Sequence, residues 1–237
     1  MGRLLTFKRL FERKQVLQDY RQWHFLNTLP KNKRDELLNF AESELVPTLL
    51  PNLNHKKVLI LNDQRHKFLH TRIRNLEPDF LMNIVYRGDG SPELSQSQFT
   101  FYADLDHLPL RREFFDVVIC PFALEDEVTY KPMIGNLSAI IKNGGKLIVS
   151  VTHPQWEHIQ YNQNPSASHT PNQLVSRYFS LLKDNHLFTE DMGEKCIDTM
   201  MKPFLAAHEH DNGDDHFEEY KGLPVVLGLR AVKFKKS

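Results

Sequence analysis

Short apolar segments of strand length, separated by stretches with helical periodicity, constrain the fold of this chain more than any other feature. Residues 57–61, 114–120 and 146–151 are dominated by large apolar side chains, as expected of strands buried on both faces of a parallel sheet. Helical patterns over 67–76 and 131–142 separate these segments. Strands that alternate with helices predict an α/β fold with a mostly parallel sheet.

Weaker signals extend this pattern along the chain. Further strands are predicted at 80–86, 98–102 and 224–234, a helix at 171–185, and polar loops at 161–171 and 208–219. No linker divides the chain, so we predict a single domain over 1–237. Its core spans 56–234, and residues 1–50 form an N-terminal helical cover.

The N-terminal extension carries two predicted helices. The first, over 4–28, places apolar side chains on one side and a basic surface on the other. Two interpretations stay open: a helix that binds a partner or a membrane surface, and a cover helix with a solvated basic face. The second helix is predicted over 34–44, ended by Pro47 and Pro51.

Composition and charge argue against several classes of function. Lysine and arginine together number 30, as do aspartate and glutamate, which gives no reason to expect nucleic-acid binding. No apolar run reaches the roughly 18 residues of a membrane span, and charged residues interrupt the N-terminal segment in a way that a secretory signal does not show. Cys120 and Cys196 are too few for a disulfide framework. We therefore expect a cytoplasmic protein.

Three segments in the middle of the chain form an ordered series: 101–110 (FYADLDHLPL), 115–119 (FDVVI) and 140–149 (IIKNGGKLIV). They resemble class I S-adenosylmethionine (SAM) methyltransferases, most closely the branch called type 11. In that family an Asp and a Leu-Pro pair follow the third strand, a Phe-Asp-Val-Val strand comes next, and a Gly-Gly turn precedes the fifth. Three later segments are similar to a subgroup that acts on small molecules: 150–154 (SVTHP), 169–178 and 224–233.

This resemblance implies a Rossmann-like, seven-stranded sheet flanked by helices, mostly parallel, with one reversed strand near the C-terminal end. It also implies that SAM lies across the carboxyl ends of the first strands. The connection 152–171 and the N-terminal helices would then cover the substrate side.

The loop after the first strand departs from the family pattern. Methyltransferases have an acidic residue near the end of that strand and then Gly-x-Gly-x-Gly, because glycine allows a tight turn and a close approach of the backbone to the ligand. Here Ile60 stands near the acidic position, and the loop is Asn62-Asp63-Gln64-Arg65-His66, without glycine. Asn62 and Asp63 are the cofactor-binding candidates, since Asn and Asp tolerate left-handed backbone and Asp63 supplies a carboxylate at a shifted position.

The adenosine side of the implied cofactor site is better preserved. Asp89 resembles the aspartate that binds the ribose hydroxyls, and a carboxylate accepts two hydrogen bonds from a diol. An ordinary Asp-Gly turn is the equally good alternative. Asp104 matches the acidic residue that contacts the adenine amino group, with Leu105 beside it; the alternative is a strand-end cap. Asp116 is expected to be structural.

Several histidines are candidates for chemistry. His153 and His169 are the predicted catalytic residues, because an imidazole can act as a general base or orient a substrate near neutral pH; a structural role is the alternative for each. His208, His210 and His216 could bind zinc, but their acidic segment has no regular spacing. We expect a solvated loop there and no metal site.

Two functional hypotheses follow. In the first, the protein is a divergent methyltransferase-like protein with weakened or lost catalysis that acts as a binding or scaffolding subunit with a protein partner. In the second, it is an active SAM-dependent methyltransferase that acts on a small-molecule acceptor.

Overall fold

A seven-stranded sheet organises the part of the chain that the computed structural model describes, residues 29–62, 67–85, 100–102, 109–121, 127–154, 175–205, 217–218 and 220–234. Its strands are β1 (Lys57–Asn62), β2 (Phe80–Val85), β3 (Thr100–Tyr102), β4 (Phe115–Cys120), β5 (Ile141–Thr152), β6 (Leu187–Cys196) and β7 (Pro224–Lys233). The helices are α1 (Lys31–Leu49), α2 (Lys67–Arg74), α3 (Glu127–Ile140), α4 (Val175–Asp184) and α5 (Lys202–Leu205).

The strand order is β3-β2-β1-β4-β5-β7-β6. Strands β1 to β5 pair in parallel, whereas β7 is antiparallel to both β5 and β6. The predicted α/β class with a mostly parallel sheet is therefore confirmed, and β7 is reversed relative to its neighbours. The predicted helix over 4–28 lies outside the described residues, and the assignment of 1–237 to one domain stays a prediction.

The side chains of β1 alternate between two buried layers. Val58 and Ile60 belong to a cluster that includes residues of α1 and α2, which we call the α1 layer. Leu59 and Leu61 belong to a cluster that includes residues of α3 and α4, the α3 layer. A strand covered by helices on both faces buries every side chain, which explains why this segment is continuously apolar.

Helix α1 lies very close to β6 and β7 because two glycines face it. Gly193 of β6 and Gly228 of β7 are cross-strand partners. A Cβ atom at Gly228 would lie 2.6 Å from Cδ1 of Leu49, and one at Gly193 would lie 3.0 Å from Cδ1 of Leu45. Both leucines are buried, so larger residues on these strands would push the helix away.

Arg230 of β7 fixes the C-terminal end of α1. Its Nη1 donates to the carbonyl of Leu49 at 3.0 Å. The same guanidinium forms ion pairs with Glu190 at 2.8 Å and with Asp191 at 3.1 Å, and Lys146 of β5 also pairs with Glu190, at 2.5 Å. One cluster of charges thus joins the helix to strands β5, β6 and β7.

At the amino edge of the sheet, Asp116 of β4 joins β1 to β5. Its Oδ2 accepts a hydrogen bond from the backbone N–H of Lys57 at 2.9 Å, and its Oδ1 accepts one from Lys142 Nζ at 2.7 Å. Burial raises the pKa of Asp116, but these hydrogen bonds and the Lys142 charge outweigh it, so the pKa lies below its ordinary value. These contacts agree with the structural role expected from the sequence.

The end predicted for the second helix is wrong. That helix was expected over 34–44, ended by prolines, but α1 extends over Lys31–Leu49 with Pro47 inside its last turn. A proline there removes one backbone hydrogen bond. Because Val46 and Leu49 are buried against the sheet, packing keeps this turn helical against the local preference.

The glycine turn predicted at 143–145 lies within β5. The register between β4 and β5 moves from Phe115–Ile141 to Val117–Lys146, so four residues of β5 oppose Asp116 alone. Gly144 has a φ of 75°, which glycine adopts without strain. Strand β6 was not predicted from its pattern, and the helix predicted over 131–142 is α3, Glu127–Ile140.

Candidate functional site

The carboxyl ends of the parallel strands form one edge of the sheet, and the candidate site lies there. Strands β1 and β4 are adjacent although two other strands separate them in sequence. Chain connections leave in opposite directions at that point, and ligands of open α/β sheets bind in the crevice that results. Asn62, the last residue of β1, lies beside Val85, the last residue of β2.

No carboxylate occupies the position near the end of β1 where the resemblance implies one. Ile60 is there, with 1% of its surface exposed, and it is packed in the α1 layer with apolar residues of β1 and β4. A charged side chain at this position would be buried among the apolar residues of that layer, at a high free-energy cost. This part of β1 serves the core.

His153 lies directly after β5 at the same edge. Its backbone N–H donates to the carbonyl of Val225 at 2.9 Å, which continues the pairing of β5 with β7. Its side chain is 5% exposed, and its Nε2 lies 3.2 Å from Oε1 of Glu194 on β6. Burial lowers the pKa of His153, while the hydrogen bond and charge of Glu194 raise it, and the net direction is downward. The imidazole is therefore mostly neutral at neutral pH.

A neutral imidazole paired in this way can act chemically. When Nε2–H donates to the Glu194 carboxylate, the proton resides on Nε2 and Nδ1 becomes the basic nitrogen. A carboxylate that orients a histidine is a common feature of general-base sites. The arrangement fits either that use or a structural link between β5 and β6.

A buried carboxylate lies close to this end of β5. Glu42 of α1 is fully buried, and Ser150 Oγ donates a hydrogen bond to its Oε1. Sequence reasoning missed this contact, because a glutamate in an amphipathic helix is usually solvated. The only signal was its place next to Ala41 on the apolar side of the helix.

Among the predicted site residues, Asn62 and His153 fall on described segments. Strand β4 lies between β1 and β5, so these two strands are two strand spacings apart, about 10 Å. The registers of β1 on β4 and of β4 on β5 place His153 three residues beyond the level of Asn62. Both lie at the carboxyl edge of the sheet, and their roles stay predictions. Asp63, Asp89, Asp104, Leu105 and His169 lie outside the described residues and stay predictions.

Neither a metal-binding cluster nor a membrane-spanning helix occurs in the described segments. No group of three or more His, Cys, Asp or Glu side chains that could hold a metal ion occurs among the described residues. The histidine-rich segment 208–216 lies outside them. No helix within the described ranges is long and apolar enough to cross a membrane.

Several solved structures share the architecture of this chain. A candidate SAM-dependent methyltransferase of Listeria monocytogenes superposes with a TM-score of 0.62 at 16% identity, over 84% of this chain and all of that one. The chain has the fold of the class I SAM-dependent methyltransferases. A second neighbour is a candidate methyltransferase solved in complex with the Trm112 methyltransferase activator of Haloferax volcanii. It superposes with a TM-score of 0.63 at 14% identity, over 86% of this chain and 94% of that one.

A third neighbour with the methyltransferase fold is a geranyl diphosphate C-methyltransferase of Streptomyces coelicolor, solved with S-adenosylhomocysteine. It gives a TM-score of 0.57 at 12% identity, over 82% of this chain and 79% of that one. No family model matches the sequence. An uncharacterized protein of Methanocaldococcus jannaschii is 32% identical over 123 residues, 49% of this chain. The match spans about half of that relative, 52% of its length.

Proposed function

We propose that this protein is a methyltransferase-like protein with weakened or lost catalysis that acts as a binding or scaffolding subunit. The proposal rests on the residues at the end of β1 and directly after it. An apolar Ile60 is buried there, and the sequence that follows has no glycine through residue 66. The family pattern instead has an acidic residue and a glycine-rich loop beside the methionine part of SAM.

The physical argument concerns space and charge. A glycine-rich loop lets backbone N–H groups approach a ligand closely, because glycine has no side chain in the way. Side chains at Asn62 and Gln64 would take that space. The missing carboxylate at position 60 removes a polar group that could orient the ligand. We therefore expect SAM to bind weakly, while the sheet remains intact because Ile60 stabilises its core.

A protein partner is part of this proposal. The Haloferax neighbour, a candidate methyltransferase in complex with the Trm112 activator protein, supports it, because it shows a chain of this fold in complex with another protein. The basic face predicted for residues 4–28 is the surface that we expect to take part, and an acidic partner would complement it. Localisation in the cytoplasm and absence of nucleic-acid binding stay predictions.

One observation favours the alternative, an active SAM-dependent methyltransferase with a small-molecule acceptor. His153 is neutral, buried and paired with Glu194 at the carboxyl edge. There it could remove a proton from a hydroxyl or amine acceptor while the methyl group is transferred. Asp89, Asp104 and His169 would complete such a site.

Calorimetric titration with SAM and with S-adenosylhomocysteine, followed by a methyl-transfer assay, distinguishes the two functions. We expect no binding below millimolar ligand and no transfer. Micromolar binding together with transfer would establish the active enzyme instead.

A glycine variant tests the cause. Changing Asn62→Gly and Gln64→Gly together should raise SAM affinity if side chains in the loop block the site. Glu77→Gly is the matched control, since Glu77 is exposed and has a φ of 50°, where glycine is accepted without strain. It should leave SAM affinity unchanged. Equal affinity in all three proteins would mean that the loop is not the obstacle.

A further inference from the structure

The turn near the start of β5 contains the dipeptide Asn143-Gly144. Both residues are exposed, whereas most of β5 is buried. Gly144 has a φ of 75°. Apart from its chain neighbours, no described residue has an atom within 4 Å of the position that a Cβ of Gly144 would occupy. The dipeptide therefore projects into open space at the amino edge of the sheet.

An exposed Asn-Gly pair can react with itself. The backbone nitrogen of the glycine loses its proton and attacks Cγ of the asparagine, which closes a five-membered succinimide ring, and the side-chain nitrogen leaves as ammonia. Water then opens the ring at one of its two carbonyl groups and gives either aspartate or isoaspartate. Glycine favours this reaction, because it has no side chain beside the attacking nitrogen and lets the backbone rotate. The two reacting groups are already joined in one chain.

We propose that Asn143 is a site of spontaneous deamidation, and that its isoaspartate product loosens the junction between β4 and β5. The proposal goes beyond the proposed function and does not depend on it. Asparagine is one of the thermally labile residues of proteins. At this turn its exposure coincides with the conformational freedom of Gly144, and water is the only co-reactant.

The turn has little room for a longer backbone. All four residues 142–145 oppose Asp116 alone. A Cβ at Gly145 would lie 2.9 Å from the carbonyl oxygen of Lys142 and 3.0 Å from the carbonyl oxygen of Asp116. Isoaspartate directs the main chain through its own side chain, which adds one methylene group between residues 143 and 144. The backbone at Gly145 would then have to move away from Asp116.

The reaction also places a negative charge beside Lys142. The Nζ of Lys142 donates to Oδ1 of Asp116 at 2.7 Å, and Oδ2 of Asp116 accepts from the backbone N–H of Lys57. A carboxylate at position 143 competes with Asp116 for Lys142. Because the Lys142 side chain is 39% exposed, water screens this competition. We therefore expect the longer backbone to matter more than the charge.

Peptide mapping of the full chain by mass spectrometry tests the reaction. The protein is incubated at neutral and at mildly alkaline pH, and the mass gain from replacement of an NH2 group by OH is assigned to individual residues. We expect this gain at Asn143, and a faster gain at the higher pH because the attacking nitrogen must lose its proton. Asn75 is the matched control, since it is also exposed but is followed by Leu76, whose side chain hinders the nitrogen. Deamidation at Asn143 no faster than at Asn75 would overturn the proposal.

Unfolding in urea separates the effect of the structure from that of the sequence. In the unfolded chain the dipeptide reacts without constraint from the fold. An open turn in the folded protein should react within about tenfold of that rate, because no costly opening precedes the reaction. An Asn143 that keeps its amide in the folded protein while the unfolded chain reacts would also overturn the proposal.

Thermal melts after incubation test the effect on the fold. Asn212-Gly213 repeats the motif outside the described residues, so every protein in this comparison carries Asn212→Gln. Incubation should lower the Tm by about 2–4 °C. Asn143→Gln, which cannot close the five-membered ring, should keep its Tm, and freshly prepared Asn143→Asp, which has the charge without the longer backbone, should melt close to the fresh protein.

Three results of these melts would refute the effect of isoaspartate. The first is an unchanged Tm in protein whose isoaspartate content has been established by peptide mapping. The second is an equal loss in Asn143→Gln, which would place the damage elsewhere in the chain. The third is a fresh Asn143→Asp that melts as low as the incubated protein, because the charge alone would then account for the loss.

Discussion

Replacing Gly228 with alanine should loosen helix α1 from the sheet. The new Cβ would lie 2.6 Å from Leu49 Cδ1 and 3.1 Å from Leu45 Cδ2, whereas carbon atoms in favourable contact are about 3.5–4.0 Å apart. Overpacking of this kind costs about 1–3 kcal/mol. The lower backbone entropy of alanine in the unfolded chain returns about 0.5–1 kcal/mol. We therefore expect a net loss of about 1–2 kcal/mol in the free energy of unfolding.

Urea unfolding and thermal melts measure this loss. For a chain of this size the expected drop in Tm is roughly 2–8 °C. Gly193→Ala is the graded control, because its Cβ would lie 3.0 Å from one leucine methyl and 3.8 Å from another, so it should cost less. A double variant that adds Leu49→Ala should lose less stability than the two single changes together, since the truncated side chain makes room. A Gly228→Ala protein as stable as the wild type would refute the close packing of α1.

Substitutions of three charged or titratable residues should change the stability of the fold in defined directions. Because the pKa of Asp116 is lowered, its pairing with Lys142 stabilises the fold above the ordinary carboxyl pKa of 3.8. This stabilisation is lost as the pH falls through the lower folded pKa. In acid titrations followed by circular dichroism, the stability of Asp116→Asn should therefore depend less on pH below about pH 4. The lowered pKa of His153 contributes stability that is complete above pH 6.5 and is lost as the pH falls through the pKa of the folded state. His153→Gln should therefore flatten the plot of unfolding free energy against pH between pH 7 and 5. A plot identical to that of the wild type would contradict a buried neutral imidazole. Arg230→Met should destabilise the protein by about 1–3 kcal/mol, because the last turn of α1 and two carboxylates lose a shared hydrogen-bond donor. Urea unfolding at low and at high salt measures this loss. An unchanged free energy of unfolding at both salt concentrations would mean that the charge cluster does not stabilise the fold.

The central strands could be predicted from the sequence because burial on both faces leaves no room for polar residues. Leu59 and Ile60 face opposite layers, and both are buried. That requirement made β1 recognisable, and β4 and β7 were predicted to within one residue at either end. Strand β5 was predicted over 146–151 but begins at Ile141, five residues earlier. The antiparallel orientation of β7 followed only from the family resemblance, since an apolar sequence does not indicate whether a strand is parallel or antiparallel to its neighbours.

Strand β6 could not be found in the same way. Among the described strands it lies at the edge of the sheet and pairs with β7 alone, and its residues alternate between half-buried and exposed. Glycine and charged residues such as Gly193 and Glu194 are typical of loops. Its extended conformation depends on pairing with β7 and on the helix that covers Gly193, and neither is visible locally.

The candidate site was predictable one residue at a time and not as a set of contacts. His153 was identified from its motif, but its partner Glu194 was not, because the register of β6 on β7 brings together residues 41 positions apart.

The packing of α1 has a consequence for how the chain reaches its native state. The helix precedes β1 in sequence, yet its end is held by Arg230, 181 positions away. Contacts of such separation require closure of a very long loop, which slows their formation relative to local pairing. We therefore expect α1 to dock after the transition state for folding. Substitutions at Gly228 or Leu45 would then raise the unfolding rate and leave the folding rate nearly unchanged. Amides of α1 should exchange with solvent before those of β1 and β4.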